Sequence, residues 1–174
     1  MGKMIDAAAF RNAMAQLGAA VNVVTTDGPS GLAGVTASAV CSVTDAPPTL
    51  LVCINRGSSA HPVFERNGVL CVNTLAAHQD GISDHFAGRS GLSGAKRFEG
   101  IDWQRLLTGA PVLAGAGAAF DARIVKRVEH GTHSVFFAEV LAISPSAPDT
   151  GGLIYYGRRY HPVGHLRRQQ PKMA

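Results

Sequence analysis

Gly34-Val-Thr-Ala-Ser-Ala-Val-Cys-Ser-Val-Thr-Asp-Ala-Pro-Pro-Thr-Leu-Leu-Val-Cys-Ile-Asn-Arg56 is the stretch on which the reading of this chain turns. Two strand-forming runs flank Pro47 and Pro48, and the first carries Thr36, Ala37, Ser38 and Ala39 where a plain strand would carry bulk. Small residues let another group come close to the backbone. Past the second run, Asn55-Arg56-Gly57-Ser58-Ser59 brings together an amide, a guanidinium and two hydroxyls, a donor set suited to a phosphate. A flat ring on the first run with its phosphate tail in the following loop would use both. Packing at a barrel corner accounts for the first run equally well, and a Ser-capped polar loop for the second. The spacing of the two favours a single ligand reached from adjacent strands.

Working outward, Asp6 is a candidate N-cap for a helix with Phe10, Met14 and Leu17 on one face, closed by Gly18. Residues 19–26 read as a strand, and Asp27-Gly28-Pro29-Ser30-Gly31 as the turn of a hairpin. A short helix over 59–67 would end at Asn67-Gly68 and lend its first N–H groups to the phosphate loop. Then come a strand at 69–73, a helix at 78–87 and a Gly-rich loop at 88–97, mobile or ordered by ligand. Further strands lie within 112–128, at 134–143 and at 153–156. Six or seven strands with few short helices, and no regular βαβ alternation, predict a mainly β chain built as an antiparallel barrel. With no repeat or linker in view, residues 1–174 are expected to form one domain with its core over about 8–163 and a frayed tail at 167–174.

Composition narrows the function classes. Hydrophobic residues make up 46% and charged residues only 16%, too few charges to clothe a fully solvated surface, so a homodimer is expected. The net charge of +4 owes much to Arg158, Arg159, Arg167, Arg168 and Lys172, a basic tail suited at most to attracting anionic small molecules. Nucleic-acid binding would need basic residues interleaved with exposed aromatics, and aromatics are 6% and lie within apolar runs. Cys41, Cys53 and Cys71 show no CxxC spacing and read as buried reduced thiols, with no metal site. Without an apolar leader or a span of about 20 apolar residues, no membrane partner is expected and the location expected is the cytoplasm.

Familiar motifs fail on inspection. Gly115-Ala-Gly-Ala-Ala-Phe120 leads into a strand rather than a helix, so dinucleotide-fingerprint logic does not apply. Gly91-Leu-Ser-Gly-Ala-Lys96 lacks the ending of a P-loop, and no GxSxG elbow is present. His130 and His133 have HxxH spacing at a strand turn, with no helix to align them on a metal. His61, His78, His85 and His165 read as ordinary histidines.

The run from Gly34 to Arg56, with Phe64-Glu-Arg-Asn-Gly-Val-Leu-Cys-Val-Asn73 and Phe86-Ala-Gly88, strongly resembles the short-chain flavin reductases that serve two-component monooxygenases. The resemblance runs from about Phe10 to Tyr160, and is greatest to the reductases of pyrimidine utilisation, then to those of hydroxyphenylacetate monooxygenases. It implies an FMN-binding split barrel, usually a homodimer with flavin near the subunit interface. It implies that NADH, or NADPH, reduces FMN or FAD, and that reduced flavin leaves for a separate monooxygenase. Carried over by position, Thr36, Ala37 and Ser38 would contact the ring, and Ala39 and Ser42 would belong to the same flavin site. Asn55, Arg56, Ser58 and Ser59 would hold the ribityl phosphate. Phe86 and Arg89 would join the flavin site, and His133 would meet the nicotinamide. Many members carry Gly-Asp-His at this last position; here it is Gly131-Thr132-His133, which bears on nicotinamide preference. Such a reaction needs two stacked rings rather than a strong acid or base, in keeping with the absence of a catalytic dyad. The alternatives are a pyridoxamine-phosphate-oxidase-like flavoprotein and a non-catalytic flavin-binding module.

Overall fold

The computed structural model describes residues 5–88, 91–145 and 150–164. Asp6 accepts a hydrogen bond from the Ala9 amide and starts helix α1 (Ala7–Met14), as its residue type predicts. The helix stops at Met14, short of Leu17 and Gly18, and buries none of its side chains. The chain then forms β1 (Ala19–Ala20), β2 (Asn22–Thr26), β3 (Ala33–Ala37), β4 (Val40–Asp45) and β5 (Pro48–Asn55). Helix α2 (His61–Asn67) begins two residues later than the sequence suggested and ends on Gly68, whose φ of 68° closes it in the left-handed region. There follow β6 (Val69–Thr74), α3 (Asp80–Phe86), a 3-10 turn (Gly94–Phe98), β7 (Trp103–Arg105) and β8 (Pro111–Leu113). Two long strands, β9 (Ala118–His130) and β10 (His133–Pro145), and a final pair, β11 (Gly152–Tyr156) and β12 (Arg159–Val163), complete the described chain. Six or seven strands was therefore too few. The short strands β7 and β12 carry too little alternating apolar pattern to stand out from loops, and β1 and β2 were read as the single strand 19–26.

Seven strands make one antiparallel sheet in the order β3-β2-β6-β9-β10-β5-β4. The predicted hairpin is its β2–β3 pair, in register from Asn22 against Ala37 to Thr26 against Ala33. The first and last strands of that order are consecutive in sequence. The chain leaves β3 at Ala37, opposite Asn22, and re-enters the sheet at Val40, opposite Val52. Ser38 and Ala39 alone bridge the two edges, held by Val40 N donating to Ser38 O and Cys53 N donating to Ala39 O, each at 3.0 Å. The sheet thus curls until its edges meet, and the small-residue run lies on the seam.

Inside the barrel, strict alternation on β5 sends Leu50, Val52 and Ile54 inward to meet Val24, Phe64, Leu70, Val72 and Phe136. Strand β2 is buried on both faces, because Val23, with Val21 just before the strand, joins a second cluster with Leu75, Phe86, Phe98, Leu113 and Leu153. That cluster is covered by α3, the 3-10 turn and a second sheet in the order β1-β11-β12. Gly34 is needed where β3 meets it: a Cβ there would lie 2.6 Å from the Phe86 ring. Of the cysteines, Cys71 is buried, Cys53 half-buried and Cys41 exposed, so Cys41 departs from the expected burial: it lies on an edge strand whose residues after Val40 are all exposed.

Candidate functional site

The seam opens into a groove of about 240 Å³ lined by Val35 to Ala39, Cys53 to Asn55, Ser58 and His133. Four elements deliver these groups. Strand β3 and the Ser38-Ala39 bridge supply the small wall, and the end of β5 supplies Asn55. The turn after it supplies Ser58, and the start of β10 supplies His133, paired across the sheet with Asn55. Arg56 N donates to Thr132 O at 2.9 Å, which clamps the two turns together.

Individual hydrogen bonds assign each group its remaining capacity. Asn55 Oδ1 accepts from Gly57 N at 2.8 Å, so the amide turns its carbonyl inward to shape the loop and keeps its Nδ2 donor. Ser58 Oγ accepts from Ala60 N at 3.3 Å, so the Ser58 hydroxyl proton is the part able to serve a ligand. Thr36 donates its hydroxyl to Ser83 O at 2.6 Å, and its oxygen remains an acceptor on the groove wall. Thr132 Oγ1 and His133 Nδ1 lie 2.9 Å apart, so the threonine orients the imidazole through a neutral contact. Cys53 is no nucleophile here, since burial pushes its thiol pKa up and leaves a small neutral wall.

A larger cavity of about 620 Å³ begins where Asn55 and Arg56 leave the groove and is bounded by His61, Glu65, Glu129, Gly131 and Thr132. Its charges are paired: Arg56 with Glu129 at 3.2 Å, Arg127 with Glu129 at 3.3 Å, and Arg127 with Glu65. Arg56 therefore reaches this region as a partly neutralised cation. His61, which the sequence made an ordinary histidine, is buried with Nε2 2.8 Å from Ser134 Oγ. Burial, and then Arg127 and Arg56, push its pKa below the ordinary value, against an opposing pull from Glu129.

The groove thus gathers Thr36, Ala37, Ser38, Ala39, Asn55, Ser58 and His133, with Arg56 at its edge. Three other expected residues lie elsewhere. Ser59 faces a separate cavity with Ala33, Gly34, Ser93, Gly94 and Arg97, because the turn before α2 points successive residues to opposite sides. Ser42 lines an apolar groove between β4 and the ends of β9 and β10. Phe86 is fully buried against Gly34 and Phe98, so it supports β3 from behind and cannot border a ligand. Arg89 lies outside the described residues. Sequence reasoning missed Ser83, Tyr155 and Tyr160, which line a cavity continuing from Val35, Thr36 and Ser38. Only the close spacing of Tyr155 and Tyr160 hinted at them. Among the described residues, no cluster of His, Cys, Asp and Glu could hold a metal ion, and no helix is long and apolar enough to cross a membrane.

An antiparallel barrel opened along one seam, with a small-walled groove at the opening, is the architecture of the split-barrel flavin reductases. Residues 14–164 match the flavin reductase like domain, and the chain belongs to that family. The FMN reductase (NADH) RutF 2 of Methylorubrum extorquens (strain PA1) is 58% identical over 156 residues, 90% of this chain and 89% of that protein. The FMN reductase (NADH) RutF of Klebsiella pneumoniae (strain 342) is 54% identical over 159 residues, 91% of this chain and 95% of that protein. The crystal structure of BorF, the flavin reductase component of a bacterial two-component tryptophan halogenase, superposes with a TM-score of 0.85 at 27% identity. It covers 92% of this chain and 99% of that one.

Proposed function

We propose that this protein is an NADH:FMN oxidoreductase that passes reduced flavin to a separate monooxygenase. The observation that carries the reading is the convergence of Thr36–Ala39, Asn55, Ser58 and His133 on one groove. Its donor set fits a flavin: a flat wall for the ring, then the Asn55 amide, the Ser58 hydroxyl and Arg56 for a phosphate tail. Flavin bound there would supply the two-electron acceptor for hydride from a dihydronicotinamide. The protein's own residues hold the rings face to face, exclude water and orient the carboxamide through His133. The names of the relatives favour NADH over NADPH and FMN over FAD, and the resemblance to the pyrimidine-utilisation reductases supports a recipient enzyme in pyrimidine catabolism.

The working unit in this reading is a homodimer in the cytoplasm. Helix α1 buries no side chain yet carries Phe10 and Met14, 58% and 46% exposed, and β9 and β10 leave Val125, Val128, Leu141 and Ile143 exposed. A second copy would cover such surfaces.

The decisive experiment is NADH oxidation by the purified protein with and without added FMN, FAD or riboflavin. Turnover that rises with free FMN supports the reductase. A protein that retains flavin tightly and leaves NADH unoxidised would instead be a flavin-binding module.

A further inference from the structure

The cavity that Ser59 faces, about 230 Å³, continues the ring groove along β3. Val35 begins the groove wall, and Ala33 and Gly34 line the cavity; Ser58 faces the one and Ser59 the other. From Ala37 back to Gly34 is a step of three strand residues, roughly 10 Å, which a ribityl chain can span. Among the described residues that line the cavity, Arg97 alone carries a charge. Three carbonyls fix its guanidinium: Nε donates to Leu92 O at 2.7 Å, and Nη1 to Gly34 O and Phe86 O, each at 3.0 Å. Of the five N–H donors, the two on Nη2 remain. Gly88 keeps the approach to them clear, since a Cβ there would stand 3.2 Å from Nη2. The hydroxyls of Ser59 and Ser93 make no hydrogen bond among the described residues.

We propose that Arg97, with Ser59 and Ser93, binds the phosphate monoester at the end of the flavin's ribityl chain. The inference rests on the flavin-reductase reading above. Charge balance separates Arg97 from Arg56. Arg56 shares its charge with Glu129 at 3.2 Å, whereas among the described residues no carboxylate lies within ion-pair distance of Arg97. Carbonyl oxygens orient a guanidinium without cancelling its charge, so an arriving anion meets a full cation whose side chain is already ordered. Two hydroxyls and two N–H groups supply four donors to the oxygens of a phosphate. The same clamp ties β3 to α3 through Gly34 O and Phe86 O, which holds the phosphate site and the ring wall in one frame.

The test compares FMN with riboflavin, which shares the ring and the ribityl chain and lacks the phosphate. Affinity for each is measured by fluorescence titration without NADH. Wild type should bind FMN about tenfold or more tighter than riboflavin, the gain expected for hydrogen bonds to a charged group. Ser59→Asp places a carboxylate in the cavity and should erase most of this preference, while riboflavin affinity stays within about threefold. Arg97→Gln should erase it as well. Loosening of the clamp in that variant weakens both ligands alike, so the ratio of the two affinities reports the phosphate contact alone. Arg56→Gln should narrow the ratio by less than Arg97→Gln does. Equal affinity of wild type for the two flavins would overturn the assignment and leave the reductase reading intact. So would a ratio unchanged in Ser59→Asp, or one that Arg56→Gln reduces more than Arg97→Gln. Wild-type protein that fails to oxidise NADH with any added flavin would overturn the reading on which it rests.

Discussion

At the scale of single residues, the groove works by subtraction. Thr36, Ala37, Ser38 and Ala39 leave space at the seam, and each polar neighbour spends part of its bonding capacity on the loop that carries it. His133 is held by Thr132, whose hydroxyl lies 2.9 Å from its Nδ1. His133 lines the groove and is paired across the sheet with Asn55. His133→Ala should therefore raise KM for NADH by about tenfold, the worth of one directed contact, and change FMN affinity by less than about twofold. Steady-state kinetics with a parallel flavin titration separates the two effects. The small residues and the Asn55–Ser59 donors were legible in the sequence because they are contiguous. Ser59 lines a different cavity from Ser58 for a local reason: the direction of each side chain in a tight turn depends on backbone angles that residue identity leaves open. Phe86 was misread because its neighbours in space, Gly34 and Phe98, are far from it in the chain.

Elements show the same division. Hairpins, the Gly68 stop and the long strands follow from alternation and turn chemistry, so their existence could be read directly. Helix α1 is different. Its cap was readable from Asp6, but the helix buries none of its side chains in its own subunit, and in the proposed homodimer a second copy would cover its apolar face. It touches the rest of the chain through polar contacts at its end, Arg158 to Asn12 at 2.6 Å and Tyr156 to Gln16 at 3.1 Å. In the proposed homodimer, Phe10→Asp places a charge in the contact surface. The expected loss is about 2 kcal/mol or more, roughly a 30-fold weakening of association. Sedimentation velocity across a range of protein concentrations reads this directly. A variant that associates as wild type does would place the interface on the β9–β10 face instead.

For the molecule as a whole, acid sensitivity follows from one buried imidazole. Burial and two nearby arginines hold His61 below its ordinary pKa of about 6.5, which is the value expected for the unfolded chain. Below that pH the unfolded state binds the proton more readily than the folded one. Stability is then lost as pH falls through about 6.5 toward the lower folded value, and the contribution is level above it. Thermal unfolding from pH 8 to pH 5 should show Tm falling below neutrality, and His61→Gln should flatten that slope. Equal slopes in the two proteins would assign the acid sensitivity to other groups.

What the amino-acid sequence determined by itself was local: strands from alternation, turns from Gly, Pro, Asn and Asp, and a small-residue run beside a donor-rich loop. These need only neighbours a few positions apart. The tertiary structure alone decided that β3 and β4, consecutive in the chain, are opposite edges of one sheet, so that Ser38 and Ala39 lie on its seam. It also decided that Ser83 and Tyr160, 77 positions apart, meet behind Thr36. Closing a barrel is a cooperative property of the whole sheet, set by twist and register summed over seven strands, and no single segment encodes it.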